Sequence, residues 1–102
     1  MKTNKDLKFN TLLYDFYSSL LTERQREIFE DYYFNDLRIS EISEKYNFSK
    51  PAAIDSLKKT IKILEKYESN LKLLKKFNER KEVYKKISDQ KILDELNWID
   101  EI

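Results

Sequence analysis

The chain has 102 residues, with 20 basic and 19 acidic side chains and a formal net charge of +1. This length accommodates one small domain, and the balanced charge gives no bulk preference for nucleic acid, so such binding would depend on local patches. Histidine and cysteine are both absent, which removes the commonest general base, the thiolate nucleophile and the usual zinc ligands. We therefore do not expect an enzyme, a metal site or a cofactor.

The composition is typical of a helical protein. Glycine is absent and proline occurs once, so few residues interrupt a helix. The lack of cysteine fits a reducing cytoplasm. The first ten residues, MKTNKDLKFN, lack an apolar run long enough for a signal peptide or a membrane span. We expect an all-α, cytoplasmic protein that does not insert into membranes.

Two amphipathic helices are predicted in the first third of the chain. The second of them begins after Thr22, a residue that can cap it, and Gln25 three residues on completes a capping box. Apolar spacing predicts the first helix from about Lys5 to Leu20. Its core face comprises Leu7 or Phe9, Leu13, Phe16, Tyr17 and Leu20, and the second helix contributes Ile28, Phe29, Tyr32 and Tyr33.

A third and a fourth helix follow, separated by a tight turn at Asn47-Phe48. Ser49 is a good N-cap for the fourth helix, and Pro51 lies in its first turn, where its missing N–H costs nothing. Helix, short turn and capped helix together predict a helix-turn-helix. The core residues expected from this part are Ile39, Ile42, Tyr46, Ala53 and Leu57.

The segment from Leu20 to Leu64 resembles the promoter-reading C-terminal domain of bacterial sigma factors. The likeness rests on an LT-x-x-Q-R-E opening, an E-I-S-E-K-Y first helix and S-x-x-x-A-x-x-x-L in the second helix. With its aromatic-rich flanks, LLYDFYSSLLTERQREIFEDYYFNDL and LEKYESNLKLLKKFNER, the chain from about Leu12 to Glu82 also resembles the YlxM family. These are small bacterial helix-turn-helix proteins linked to the signal recognition particle pathway.

The resemblance implies a sigma-factor-like helix-turn-helix bundle of about five helices with a long C-terminal helix. It also implies an accessory or regulatory binding protein of the signal recognition particle pathway, with the particle RNA or its GTPase as partner. The alternative is a transcription regulator that uses the same fold to bind DNA.

The fourth helix offers few side chains suited to reading DNA bases. Base recognition favours Arg, Asn, Gln or Lys in the first turns of the second helix of the motif. Asp55 is negatively charged, so the phosphates that flank a groove would repel it. Arg38 stands at a position where sigma factors prefer a capping Ser or Thr. The residues expected to face a groove are Lys50, Pro51, Ala52, Ile54, Asp55 and Ser56.

Positive charge accumulates after the turn. Lys72, Lys76 and Arg80 are spaced four apart, which predicts one ridge on a helix, with Lys75 beside it. The ridge is either a solvated face that aids solubility or a surface that contacts a phosphate backbone. The candidate nucleic-acid or partner-binding residues are Lys50, Lys58, Lys59, Lys62, Lys72, Lys75, Lys76 and Arg80.

Acidic pairs at helical spacing, Glu27 with Asp31 and Glu41 with Glu44, could in principle perform acid–base chemistry. Such pairs are ordinary on polar helix surfaces, and we interpret them as solvated faces.

From Leu57 an apolar stripe continues through Ile61 to Phe77 without a breaker. It predicts either one long amphipathic helix or a helix kinked at Ser69-Asn70. A chain this short has difficulty covering such a stripe, so we expect a homodimer. The expected dimer or partner contacts are Leu64, Tyr67, Leu71, Leu74 and Phe77, with Leu96 and Trp98 from the tail.

The last segment, residues 88–102, is acidic and amphipathic. We therefore divide the chain into a helical helix-turn-helix domain, residues 1–87, and this tail. The tail is expected to fold back on the chain or on a twin subunit. The alternative is a partner-docking peptide in which Trp98 is the anchor.

Overall fold

The structure is a computed structural model that describes residues 4–102, with side chains from Asp6 onward; residues 1–3 of the predicted domain 1–87 lie outside it. Its six α-helices are α1 (Asn4–Tyr17), α2 (Glu23–Tyr33), α3 (Ile39–Tyr46), α4 (Lys50–Leu71), α5 (Leu73–Tyr84) and α6 (Gln90–Glu101). A short 3-10 helix, Ser18–Leu20, follows α1. The described part of the chain has no strand, so the all-α prediction is confirmed.

The helices form two compact units, one ending at Leu71 and the other running from Lys72 to Ile102. The division falls at Lys72, whose left-handed backbone (φ 57°) ends α4 and precedes α5. The predicted long helix is therefore two helices, and the break lies beyond Ser69-Asn70. The boundary predicted from composition, between residues 87 and 88, falls inside the second unit, shortly before α6.

The first unit encloses one core, in which α1, α2 and α3 each pack against α4. The predicted core residues Leu13, Tyr17, Ile28, Phe29, Ile42, Ala53 and Leu57 are all buried there. Phe16, Tyr32 and Tyr46 were also expected in the core but are only half-buried. Leu64, expected in a dimer contact, is completely buried, so it belongs to the core of its own chain.

The connection between α1 and α2 shifts the helical register. Because α1 ends at Tyr17 and a 3-10 turn follows, Leu20 is 50% exposed and Leu21 is buried instead. The Arg26 guanidinium fixes this turn by donating to the Leu21 carbonyl (2.7 Å). The predicted capping box is confirmed: Gln25 N–H donates to the Thr22 hydroxyl (3.2 Å), and the Thr22 N–H donates to Gln25 Oε1 (2.9 Å).

An aromatic stack holds α1 on α2. The Phe29 ring lies between Tyr14 and Tyr33, with centroid separations of 4.4 Å on each side. Buried Asn10 donates from Nδ2 to the Tyr33 hydroxyl (3.1 Å). Aromatic pairs of this kind add to the stabilisation from burial alone. The stack therefore fixes α2, the helix on which the helix-turn-helix rests.

Candidate nucleic-acid interface

The helix-turn-helix consists of α3, a three-residue turn and the first turns of α4. Asn47 takes the left-handed conformation (φ 57°) that ends α3, and the Phe48 N–H donates to the Ser43 carbonyl (3.0 Å). Ser49 caps α4 by accepting from the Ala52 N–H through its hydroxyl (3.2 Å). The predicted turn and cap are confirmed, because these bonds satisfy backbone groups that helix ends leave unpaired.

A compact apolar cluster sets which face of α4 is outward. Ala53 and Leu57 pack with Ile28 of α2 and Ile42 of α3, as the spacing predicts. Around them lie the half-buried side chains Tyr32, Leu37, Ile39, Tyr46 and Phe48. The opposite face of α4 consequently points away from this core.

The outward face of α4 is only partly as predicted. Lys50, Pro51, Ala52 and Asp55 are exposed. Ile54, expected to be exposed, is half-buried, and so is Ser56. The Asp55 carboxylate lies 3.0 Å from Lys59 Nζ, one helical turn on, and both side chains are exposed. Because both side chains are exposed, this ion pair offsets the Asp55 charge only weakly.

The start of α3 has an acidic cap. The Glu41 carboxylate accepts both from the backbone N–H of Arg38 (3.0 Å) and from its Nε–H (3.1 Å). The backbone bond and then the guanidinium bond hold the pKa of Glu41 below its usual value. Arg38 thus lacks the capping hydroxyl of the sigma pattern, and the Glu41 carboxylate caps the start of α3 instead. The Arg38 side chain is 82% exposed.

Asp31 corrects the interpretation of Glu27 and Asp31 as a solvated pair. Its side chain is only 7% exposed, and it binds Lys45 Nζ (2.8 Å) and the Tyr46 hydroxyl (2.5 Å) of α3. Asn35 Nδ2 also donates to it (3.1 Å). Lys45 and Tyr46 lie 14 and 15 residues away on another helix, so local spacing gave no signal for these two contacts.

Four of the predicted lysines lie on α4 in the first unit. Lys50, Lys58, Lys59 and Lys62 are all exposed. Lys58 and Lys62 line one groove of about 410 Å³ between α1 and α4, whose other lining residues are Asp6, Phe9, Asn10, Ile61 and Glu65. The carboxylates of Asp6 and Glu65 make this groove mixed in charge rather than purely basic.

The remaining predicted cations lie in the second unit, and they do not form the expected ridge on one continuous helix. Lys72 has a left-handed backbone at the N-cap of α5, so it does not share the helical repeat of Lys76 and Arg80. Lys75 and Lys76 are exposed. The Arg80 guanidinium lies 3.2 Å from the Asp100 carboxylate of α6, which reduces its availability to an outside anion.

The acidic tail forms α6, and this helix folds back on α5. Asp89 caps it by accepting from the Lys91 N–H (2.9 Å), and Asn97 and Asp100 bind α5 side chains. Leu96 is half-buried, whereas Trp98 is 63% exposed. The expectation that the tail folds back on the chain is met within the second unit.

Residues 3–101 match the family model described as "Putative helix-turn-helix protein, YlxM / p13 like". The chain belongs to this family. The YlxM resemblance seen in the residues is thereby confirmed, and the helix-turn-helix agrees with the family description. The likeness to sigma factors stays a prediction.

The matching family is designated UPF0122, and curated relatives of this chain are named UPF0122 proteins. A UPF0122 protein from Caldanaerobacter subterraneus subsp. tengcongensis is 54% identical over 63 residues, covering 62% of this chain and 54% of the relative. One from Malacoplasma penetrans is 50% identical over 91 residues, covering 89% of this chain and 85% of the relative. One from Lactococcus lactis subsp. cremoris is 43% identical over 68 residues, covering 67% and 60%. This YlxM-like chain thus spans about half the length of the first of these relatives.

Two further findings bear on the site. Among the described residues of this YlxM-like chain, no group of three or more Asp or Glu side chains is arranged to hold a metal ion. Within the same part of the chain, no helix is both long and apolar enough to cross a membrane.

Proposed function

We propose that this protein is an accessory or regulatory binding protein of the bacterial signal recognition particle pathway, and that it holds the phosphate backbone of the particle RNA. The observation that carries this proposal is the composition of the outward face of α4. Its exposed cations, Lys58, Lys59 and Lys62, follow the turns that would enter a groove. Phosphate contacts position a protein on nucleic acid without reading its sequence.

The first turns of α4 support binding by shape over base reading. Pro51 and Ala52 offer no side-chain donor, Ile54 is half-buried, and Asp55 is paired with Lys59. A sequence reader needs side chains that make paired hydrogen bonds to base edges. Structured RNA, in contrast, is held largely by its shape and through its phosphates and 2′-hydroxyls. The pathway itself comes from the YlxM resemblance, and both considerations favour the same class of ligand.

A DNA-binding transcription regulator is the second candidate. It is favoured by the exposed start of α3, where Arg38 is 82% exposed, and by Lys50 at the exposed start of α4. In a helix-turn-helix complex the first helix crosses the DNA backbone and the second enters the major groove. Arg38 and Lys50 have the charge that these two positions require.

We also propose that the protein forms a homodimer. Leu64 and Leu74 are buried, and Tyr67 stacks on Tyr17 of the same unit (5.9 Å). Most of the apolar stripe that was predicted to form the dimer contact is therefore covered within the chain. The proposed contacts are therefore those with accessible apolar surface, Leu71, Phe77, Leu96 and Trp98. Pairing would remove the 63% exposed indole of Trp98 from water.

The function is tested by measuring affinity for the particle RNA and for duplex genomic DNA across a salt series. One variant carries Lys58→Gln, Lys59→Gln and Lys62→Gln. A second carries Arg38→Gln and Lys50→Gln. The control, Lys8→Gln, Lys86→Gln and Lys91→Gln, removes three exposed positive charges that lie outside α4.

If RNA phosphates are bound by α4, the first variant loses affinity, and the slope of log affinity against log salt falls by about 0.7–0.9 for each lost contact. The control keeps the wild-type slope. Selective loss of DNA binding in the second variant, with a preferred DNA sequence for the wild type, would favour the regulator instead. Wild-type protein that binds neither nucleic acid would refute both.

Sedimentation equilibrium of wild type and Trp98→Ala tests the proposed homodimer. A wild-type protein that is monomeric would rule the dimer out.

A further inference from the structure

A carboxylate of α6 is held between two cations of α5. Asp100 Oδ1 lies 3.2 Å from Arg80 Nε, and Asp100 Oδ2 lies 3.9 Å from Lys81 Nζ. The Asp100 side chain is only 8% exposed. Lys81 also donates a hydrogen bond to Asn97 Oδ1. The Asp100 carboxylate is thus enclosed, whereas the Arg80 and Lys81 side chains remain 44% and 35% exposed.

One oxygen of this carboxylate is only partly satisfied by its neighbours. Asp100 Oδ2 is buried and has no hydrogen-bond partner, although a buried carboxylate oxygen ordinarily has one. Tyr84 lies beside it: burial and, after it, the interaction with the Asp100 carboxylate raise the pKa of the Tyr84 hydroxyl above its usual value. A guanidinium, an ammonium and a phenol therefore surround one carboxylate.

This donor set is suited to a phosphate as well as to a carboxylate. Arginine pairs with phosphate through charge-assisted hydrogen bonds, and lysine adds a point charge. A phosphate diester or a terminal phosphate is larger than a carboxylate and has acceptors pointing in more directions, so it could engage Lys81 as well as Arg80.

We propose that Arg80 and Lys81 form a phosphate-binding site that Asp100 occupies as an internal substitute, so that a nucleic-acid phosphate is bound there when α6 leaves α5. This inference rests on the proposed function for the source of the phosphate, but the site itself is defined by α5 and α6 alone. Lys81 belongs to the run of basic residues that follows the turn in the sequence, but it is not one of the candidate binding residues chosen there.

The charges of the two helices fit such a competition. Helix α5 has four basic and two acidic side chains, and α6 has one basic and four acidic. Their attraction holds α6 in place, and a polyanion competes directly with it. In this respect α6 limits nucleic-acid binding to ligands that can displace Asp100.

The test compares Asp100→Asn with Asp94→Asn. Both variants remove one negative charge from α6 and keep the side-chain size. Asp94 is exposed and accepts from Gln90 of its own helix (2.8 Å), so it does not contact the site. The probe is inorganic pyrophosphate, and its affinity for each variant is measured by isothermal titration calorimetry.

We expect Asp100→Asn to bind pyrophosphate roughly tenfold more tightly than wild type, the effect of one charge-assisted hydrogen bond, and Asp94→Asn to resemble wild type. Adding Arg80→Gln to Asp100→Asn should abolish the gain. The same result is expected if Asp100→Asn merely unfolds α6, because the proposed donors lie on α5. Equal affinities for Asp100→Asn and Asp94→Asn would overturn the proposal.

The particle RNA distinguishes the two proposals. If Asp100→Asn gains pyrophosphate affinity but no variant binds RNA, the phosphate site stands and the proposed function fails. If RNA binds wild type and Asp100→Asn equally well, and pyrophosphate affinity is also unchanged, the phosphate site is refuted and the proposed function stands.

Discussion

Lys45 Nζ lies 2.8 Å from Asp31 Oδ2, and this ion pair joins the first helix of the helix-turn-helix to α2. The Asp31 side chain is 7% exposed, whereas that of Lys45 is 51% exposed. Tyr46, the next residue of α3, binds the same carboxylate oxygen, and its ring carries the Arg24 guanidinium 4.7 Å from its centroid. The orientation of α3 on α2 thus depends on one buried acid.

Replacing Asp31 with Asn should destabilise the protein. The amide keeps the shape but loses the charge that Lys45 and Tyr46 bind, and a half-exposed lysine recovers part of its solvation. We expect a loss of about 1–2 kcal/mol in the free energy of unfolding, measured by urea denaturation. The control Glu27→Gln, in the same acidic surface but paired only with exposed Arg24, should change it by less than about 0.5 kcal/mol. Equal effects of the two substitutions would contradict the buried role of Asp31.

The contribution of Asp31 should also depend on pH. Burial opposes its ionisation, but the hydrogen bonds from Lys45, Tyr46 and Asn35 outweigh burial and hold the pKa of the Asp31 carboxyl below its usual value of 3.8. With a depressed pKa in the folded state, the stabilisation is present above about pH 4 and is lost as the pH falls through the folded-state value. The stability difference between wild type and Asp31→Asn should therefore be constant between about pH 7 and pH 5 and shrink below about pH 4. Urea denaturation across this range measures it, and a constant difference down to pH 3 would be inconsistent with this assignment.

Phe29 is expected to be the most sensitive aromatic position. It is completely buried between the rings of Tyr14 and Tyr33. Phe29→Ala should cost about 3–5 kcal/mol, through lost burial and the cavity that remains. Phe9→Ala, at a ring that is 45% exposed, should cost less than about 1.5 kcal/mol. Thermal and urea denaturation of both variants, with circular dichroism as the signal, give the comparison; a Phe29→Ala protein as stable as Phe9→Ala would disprove this packing.

Asn47 should tolerate glycine better than alanine. Its left-handed backbone (φ 57°) at the end of α3 is accessible to Gly and Asn but unfavourable for other residues. Asn47→Ala should lower the free energy of unfolding by about 1 kcal/mol, while Asn47→Gly should be close to neutral. Circular dichroism should show the same helix content for all three proteins. A more stable Ala than Gly variant would mean that this turn has another conformation.

The features that the sequence predicted best are those encoded over short spans. The capping box of Thr22 and Gln25 needs residues three apart, and Ala53 with Leu57 needs one helical turn. Leu21 is buried in place of Leu20 because a 3-10 turn shifts the helical register. The sequence has no marker for that turn. Helix α4 ends at Leu71, just before the left-handed Lys72, although Ser69-Asn70 has the better helix-breaking composition.

The candidate site was predicted less completely than the fold. Spacing identified the exposed lysines of α4, since lysine is rarely buried. It could not show that Asp31 is buried or that Arg80 is paired, because each depends on a partner from another helix. The assignment of Lys72, Lys76 and Arg80 to one ridge required an unbroken helix, which the left-handed residue Lys72 interrupts.

The Tyr17 hydroxyl donates to Glu68 Oε1 at 2.5 Å, although these residues are 51 positions apart. The bond joins the end of α1 to the last turns of α4, so the helix-turn-helix lies between two segments that close on each other. The helix-turn-helix therefore cannot be removed from the chain without losing packing contacts. A transplanted fragment without α1 would leave Phe29 without Tyr14, and one ending before Leu64 would lose part of the core. Grafting this helix-turn-helix onto another scaffold requires the whole span from α1 to Glu68.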